Sequence, residues 1–361
     1  MKIGLINDTH FGARNDSKVF DDYFYEFYDQ VFFPYLQRNN IKTVVHLGDI
    51  VDRRKFINYK ILRNFKTKFI KRFSDMGIDF HVIIGNHDTF FKNTNEINSM
   101  TELFDNGETN QISIYTEPEE VIFDGTKVLM LPWINDGNRK ESLRLLEESN
   151  AEIILGHLEV KGFAMMLTGG INEHGLEASA FNRFDMAMTG HFHHKSDDGT
   201  VYYLGAPYEM TWADYQDPRG FHIFDTETRD LEHIINPFKM FHKIVYDDLD
   251  KTLQETVHER DYSRYTGKHV KVVVQSKTNP YWFDLMLDEI YNANPFHVSI
   301  VEDFLGEVDA DDDDVAVDQA EDTLTILRKY VDDIGVEDDK KNELNELLHG
   351  LYLEAISMET E

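Results

Sequence analysis

The sequence predicts an α/β fold of two packed β-sheets flanked by helices, then a small α+β unit and a C-terminal helical hairpin. Three observations carry this prediction. Strand-length apolar runs alternate with helix-length amphipathic stretches early in the chain and follow one another more closely later, the pattern of sheets packed together with helices outside. Many of these runs stop at a glycine or a polar side chain: Asp8-Thr9-His10, Gly48-Asp49, Gly85-Asn86-His87-Asp88, Gly156-His157 and Gly190-His191-Phe192-His193. Beyond Pro237 the pattern changes to further strands around one helix, then to an acidic run, then to two final helices.

Lys2 to Asn7 is a short apolar strand ending at Asp8-Thr9-His10. From Ser17 to Arg38 the residues Phe20, Tyr23, Phe24, Phe27, Tyr28 and Val31 recur at helical spacing and predict a buried helix face. Thr43 to Leu47 is the second strand. The basic segment from Arg53 to Arg72 follows, with Ile61, Leu62, Phe65, Phe69 and Ile70 as its apolar stripe. Such charge usually marks a solvated helix face, but this segment leaves a candidate ligand strand directly, so Arg53 and Arg54 are candidate phosphate contacts. His81 to Ile84 is the third strand, and a helix is expected near Glu96 to Phe104. Strands follow at Glu120–Phe123 and Lys127–Pro132, a helix at Lys140–Glu148, and strands at Glu152–Leu155, Asp185–Thr189, Val201–Leu204 and Gly220–Phe224.

Residues 1–236 thus read as the main domain and 237–305 as the small unit, with strands at Phe241–Tyr246, Lys268–Gln275 and Val298–Phe304 and a helix at Tyr281–Tyr291. Residues 306–316 read as an acidic linker around Asp311-Asp312-Asp313-Asp314. Residues 317–361 read as the hairpin, with stripes at Leu324, Leu327, Val331 and Ile334 and at Leu344, Leu347, Leu348, Leu351 and Tyr352. Two helices cannot bury both stripes on themselves, so the hairpin is expected to dock on a partner.

With 41% hydrophobic and 13% aromatic residues, a chain of 361 residues can bury a large core and a smaller one. No apolar run approaches the about 20 residues that cross a bilayer, and Met1-Lys2-Ile3-Gly4 enters a strand directly; a soluble, cytoplasmic protein without membrane contact is expected. The absence of cysteine excludes disulfides and thiolate metal sites, leaving oxygen and imidazole as ligands. A net charge of −31 opposes nucleic-acid binding. Its distribution weakens the objection: the last 61 residues hold 21 acidic and 4 basic side chains, whereas the first 100 hold 15 basic and 12 acidic.

The strand-end candidates are Asp8, His10, Asp49, Asn86, His87, His157, His191 and His193. Ligands of open α/β sheets bind beyond the carboxyl ends of the strands. Residues two apart, as in Asp8-x-His10 and His191-x-His193, point the same way in extended backbone and are expected to chelate one centre. Carboxylate, amide oxygen and imidazole together suit manganese, ferrous iron or a similar octahedral ion. Seven ligands with Asp49 bridging match two metals about 3.5 Å apart. His87, with Asp88 behind it, is then free for general-acid work or charge stabilisation on a phosphoryl oxygen, and phosphoester hydrolysis follows as the reaction class.

These motifs, in this order, resemble the five motifs of the calcineurin-like metallophosphoesterases over residues 1 to about 235, which implies a four-layer β-sandwich. The small unit, the acidic linker and the hairpin are similar to those of the SbcD-type (Mre-eleven class) recombination nucleases, and the likeness is greatest to the T-even-phage members, through Gly156-His157-Leu158-Glu159 and Asp217-Pro218-Arg219-Gly220-Phe221. The resemblance implies one manganese on Asp8, His10, Asp49 and His193 and another on Asp49, Asn86, His157 and His191, with magnesium or iron as substitutes and His87 as catalytic histidine. It implies a 3′ to 5′ exonuclease on duplex DNA ends that also cuts single strands and hairpins, serving recombination, repair and replication. It implies a homodimer joined through helices near residues 58–75 and 94–106. The capping unit at 237–305 would help position DNA, and the C-terminal helices would bind an SbcC-type coiled-coil ATPase. If phage-encoded, the protein works in the host-cell cytoplasm. Some members have a histidine where Asp52 stands, so that histidine's role in strand discrimination does not transfer.

Two other readings stay open. Gly48-Asp49-Ile50-Val51-Asp52-Arg53 also resembles the phosphoprotein phosphatases, where arginine at the place of Arg53 grips phosphate, although those enzymes end the third motif in Glu where Asp88 stands here. The other is a scaffold for the ATPase that keeps its metal site for structure.

Overall fold

The structure is a computed structural model that describes residues 1–104, 112–167 and 169–302 and four isolated positions beyond them. Met1–Val308 forms one compact unit. Apart from those four positions, the linker and hairpin expected from residue 306 onward lie outside the described residues.

In chain order the strands are β1 (Lys2–Ile6), β2 (Thr43–His46), β3 (Asp79–Ile83), β4 (Ile112–Tyr115), β5 (Glu119–Phe123), β6 (Thr126–Leu131), β7 (Ile153–His157) and β8 (Met186–Gly190). Then come β9 (Ser196–Asp197), β10 (Val201–Tyr203), β11 (Gly220–Asp225), β12 (Leu231–Ile235), β13 (Phe241–Asp247), β14 (His269–Ser276) and β15 (His297–Glu302). One sheet runs β12-β11-β1-β2-β3-β4, the next β5-β6-β7-β8-β10-β9, and a third β13-β14-β15. In the first sheet β1, β2, β3 and β4 are mutually parallel, and in the second β6, β7 and β8 are. Parallel strands end together, so each sheet gathers its strand-end residues along one edge.

Strand alternation separates the layers. Ile3 and Leu5 of β1 join Val45, Val128, Met130, Ile153 and Leu155 in the core between the two sheets. Ile6 and Val44 instead face an aromatic layer beneath the helices, where Phe20, Phe24, Phe27, Tyr28, Phe32, Phe33, Phe65, Phe69 and Phe73 pack together. The aromatic stripe is therefore core, carried by helical segments Lys18–Phe27, Tyr28–Phe32 and Phe33–Arg38, the middle one a π turn. Phe24 stacks on Tyr208 with ring centroids 3.7 Å apart, and Phe73 stacks on Phe80 at 4.2 Å. A further core under Leu146, Phe163, Phe181 and Phe184 covers the outer face of the second sheet, completing helix, sheet, sheet and helix layers.

The strands β4, β9 and β12 are additional to the expected elements, and all three lie at the edges of the first two sheets. Half-exposed edge strands alternate weakly, as in Leu231-Glu232-His233-Ile234-Ile235, so the hydrophobic period that betrays inner strands is faint there.

The third sheet buries its own core of Tyr246, Val270, Val272, Phe283, Met286 and Ile290. Its covering helix, Pro280–Asn292, starts on Asn279, whose side chain accepts from the Tyr281 and Trp282 N–H groups, with Pro280 in the position that needs no donor. Glu209, in the loop after β10, joins this sheet to the rest: its carboxylate accepts from the N–H of Met240 at 2.8 Å and of Phe241 at 3.0 Å.

Phe69 is fully buried and touches the rings of Phe11, Tyr28 and Phe73 at 5.1, 4.7 and 5.1 Å. Phe69→Ala is expected to cost about 3–5 kcal/mol in urea unfolding, against a smaller loss for Phe69→Leu; equal stability of the wild type and Phe69→Ala would show that this layer does not hold the fold.

Candidate metal centre

The carboxyl edges of the two sheets meet. Asp8 N–H donates to the Gly48 carbonyl at 3.0 Å within the first sheet's edge, and Trp133 N–H, just past β6, donates to the Ile84 carbonyl at 2.8 Å across to the second. Asp8, His10, Asp49, Asn86 and His87 arrive from the ends of β1, β2 and β3, and His157, His191 and His193 from β7 and β8. All eight are buried or nearly so.

Two groups of metal-competent atoms form there. Asp8, His10 and His193 bring one donor atom each within 4.8 Å of one another, as do Asp49, His157 and His191. In the first, His10 Nε2 faces His193 Nε2 at 3.1 Å. In the second, Asn86 Oδ1 faces His157 Nε2 at 2.9 Å and His191 Nδ1 at 3.0 Å. Asp49 Oδ2 lies 3.3 Å from His157 Nε2 and 3.9 Å from His10 Nε2, so one carboxylate oxygen stands between the groups. Lone pairs converging in this way suit cations, and the residues present fit a pair of divalent ions.

Outer contacts aim the ligands. His157 Nδ1 donates to the Leu47 carbonyl at 2.8 Å, which leaves Nε2 toward Asp49 and Asn86. His10 Nδ1 lies 3.5 Å from Asp52 Oδ1, an ion-pair distance without hydrogen-bond alignment. Asn7 donates to Asp8 Oδ2 and to the Gly205 carbonyl, while Arg219 donates to the His193 carbonyl.

The backbone is held in costly conformations here. Asp8, His10, Asp49 and His191 have φ of 49°, 41°, 56° and 91°, the left-handed region that side chains other than glycine rarely adopt. These values replace the extended backbone expected of the two pairs: Asp8 and His10 still share one group, whereas His191 and His193 fall in different groups. Gly85 is required because a Cβ there would overlap Asp49, and Gly48 because its φ is +92° and a Cβ would strike His157.

Asp88 is a second correction. Its carboxylate does not back His87; it accepts from the N–H groups of Gly85, Asp49, Ile50 and Val51 at 2.9, 2.9, 2.9 and 3.2 Å. The partner of His87 Nδ1 is the Asp52 carbonyl at 2.6 Å. Asp88 thus stands as the clamp between the loops after β2 and β3 and not as the group that orients His87. The His87 ring lies 4.8 Å from that of His10, beside the first group, and the His87 backbone N–H donates to Asp49 Oδ1 at 2.7 Å.

Charge follows burial and neighbours. Burial pushes the Asp8 carboxyl up to about 6 against the pull of His157. Burial raises Asp49 as well, but His157 and His87 outweigh it and hold this carboxyl well below the usual range. Burial lowers His10 and His157, yet Asp52 and Asp49 for His10, and Asp49 for His157, carry both up to about 9. His191 is lowered to about 3, by burial first and His157 second, and His87 is lowered by burial against the pull of Asp49.

The two arginines diverge. Arg53 pairs with Asp16 and lies over the Phe56 ring at 4.4 Å, so its charge is engaged away from the centre. Arg54 has a buried Nη1 with no hydrogen-bond partner, and burial lowers its pKa against the pull of Asp49 and Asp88. Strand-end reasoning does not single out Asp52, Asn7 or Trp133. Asn7 and Asp52 closely adjoin motif residues, and Trp133 follows the end of β6, the same strand-end signal that marks the histidines.

The family model described as Calcineurin-like phosphoesterase matches residues 1–195. Exonuclease subunit 1 of Enterobacteria phage T4 is 30% identical over 357 residues, 98% of this chain and 99% of the relative. A subunit of the nuclease SbcCD of Staphylococcus saprophyticus is 25% identical over 141 residues, 36% of this chain and 37% of that one. A solved archaeal phosphodiesterase aligns with 65% of this chain and all of its own at 15% identity and a TM-score of 0.33.

Asp88→Ala leaves buried N–H groups of two loops without an acceptor and is expected to cost more than about 3 kcal/mol in urea unfolding, with Asp88→Asn between it and the wild type. Unchanged stability with lost activity would return Asp88 to a chemical role.

Proposed function

The chain belongs to the calcineurin-like phosphoesterase family, and we infer that it is the nuclease component of a DNA-processing nuclease and ATPase complex. It is a metal-dependent phosphodiesterase of the nuclease kind. The observation that carries the finer reading is the pair of ligand groups with Asp49 Oδ2 facing both.

One cation, manganese in the first instance and magnesium or iron otherwise, would sit on Asp8, His10, Asp49 and His193, and the other on Asp49, Asn86, His157 and His191. Bound as a pair, such ions acidify a water and neutralise charge on phosphoryl oxygens. The chain's own residues do the rest. By giving its Nδ1–H to the Asp52 carbonyl, His87 keeps the tautomer that turns a bare Nε2 to the site. Arrival of an anionic phosphodiester favours protonation of Nε2, which then donates to a phosphoryl or leaving oxygen. Arg54 would contact a neighbouring phosphate, a reading supported by its Nη1, which has no hydrogen-bond partner.

DNA is the proposed substrate, with 3′ to 5′ degradation of duplex ends and cutting of single strands. The third sheet serves as the DNA-positioning cap, and residues 317–361 dock a coiled-coil ATPase; that both relatives are named as subunits supports a partner. A homodimer through the helices around residues 58–75 and 94–106 is supported by exposed apolar side chains there, Tyr59 at 89% and Ile97 at 41% exposure. No described helix is long and apolar enough to cross a membrane, and action in the host-cell cytoplasm is proposed.

In a manganese-dependent assay of labelled DNA against a phosphopeptide, DNA is expected to be the cleaved substrate; preference for the phosphopeptide would favour a phosphatase instead. His87→Ala and His87→Asn should keep manganese binding by calorimetry while DNA cleavage falls about a hundredfold or more. Full cleavage by both would remove His87 from its role. A chain ending at Glu302 keeps β15 and is expected to retain cleavage of simple single strands while losing ATPase pull-down; undiminished pull-down would refute docking through the C-terminal helices.

A further inference from the structure

A cavity of about 280 Å³ opens beside the centre, lined by Trp133, Arg139, Leu158, Glu159 and Leu176 among others. Trp133 belongs to both places: it lines the cavity, and its ring lies 5.0 Å from that of His191 and 6.0 Å from that of His157. Leu158 directly follows the ligand His157. A group entering this cavity would therefore be covalently close to a phosphate held at the ligand groups.

The lining states what that group is. Trp133 supplies an indole, Leu158 and Leu176 supply apolar side chains, and Arg139 supplies a donor. This is the combination that holds a flat heterocycle with polar edges. The volume lies just below the about 300 Å³ at which cavities for drug-sized ligands begin. It suits one base rather than a base pair. Arg139 is exposed at the cavity, and its fork of N–H donors suits the polar edge of a base. Trp133 is fixed in place through its backbone: its N–H donates to the Ile84 carbonyl at 2.8 Å, and its carbonyl accepts from the side chains of Asn95 and Asn138, both at 3.0 Å.

We propose that this cavity is a subsite for a single unpaired nucleobase of the nucleotide adjoining the cleaved phosphodiester, with Trp133 as its stacking face. The proposal rests on the nuclease reading above and deepens it: the nucleotide beside the cut leaves its stack before cleavage.

The test uses the full chain with manganese and a single-stranded oligonucleotide in which one abasic nucleotide is walked through the sequence. One position next to the mapped cut should lower kcat/KM by about tenfold or more, with other positions within about twofold. In Trp133→Ala the ratio of intact to abasic rates at that position should fall to about one, whatever the absolute rate, and Trp133→Phe should restore part of it. Equal tolerance of abasic nucleotides everywhere, with cleavage intact, overturns the base subsite and leaves the nuclease reading standing. Failure of the wild type to cleave any oligonucleotide overturns that reading itself.

A second measurement does not depend on turnover. In a Trp212→Phe/Trp282→Phe protein, Trp133 fluorescence should be quenched saturably by a phosphorothioate oligonucleotide and far less by the same oligonucleotide lacking the base beside the cut. Equal quenching by both would overturn the proposal.

Discussion

The centre depends on one set of hydrogen bonds, those that four backbone N–H groups make to the Asp88 carboxylate. The loops after β2 and β3 carry Asp49, Asn86 and His87, and each loop leaves regular sheet structure before presenting them. Burial and Asp49 push the Asp88 carboxyl up to about 6, against the pull of the N–H groups that point at it and of His157. A carboxylate that gathers amides from two loops removes the freedom each would otherwise have. Asp49 and His87 then meet at 2.7 Å through the His87 N–H.

Around this clamp the fold tolerates backbone that it would not choose elsewhere. Left-handed φ at Asp8, His10, Asp49 and His191 costs on the order of 1–3 kcal/mol at each residue and persists because the surroundings over-determine it. Those surroundings are the parallel strands below, whose inner faces are fully buried, and the Trp133 N–H bond that ties one sheet edge to the other. The chemistry follows from that rigidity: the donor atoms of each group are held within 4.8 Å of one another, and His87 keeps a fixed tautomer through Asp52. Stability in the layers below is thus what permits strain at the rim.

Much of this is legible in the chain because inner parallel strands are unbroken apolar runs, so the polar residue that ends each one stands out. Asp8, Asp49, Asn86, His157 and His191 emerge on that signal alone, and the aromatic stripe from Phe20 to Tyr28 emerges by its helical period. Other features leave no such trace. The amides that Asp88 gathers at Asp49, Ile50 and Val51 lie 37 to 39 residues before it in the chain, and the contacts are to backbone, which has no letter in the sequence. The left-handed turns at Asp8 and His10 look like extended chain when only spacing is read. Edge strands such as β12 alternate too weakly to announce themselves.

The most direct test of the central claim is anomalous scattering at the manganese edge from crystals grown with the metal. Two peaks that share Asp49 are expected, one against Asp8, His10 and His193 and the other against Asn86, His157 and His191. The absence of both peaks, or their appearance on other residues, would contradict it.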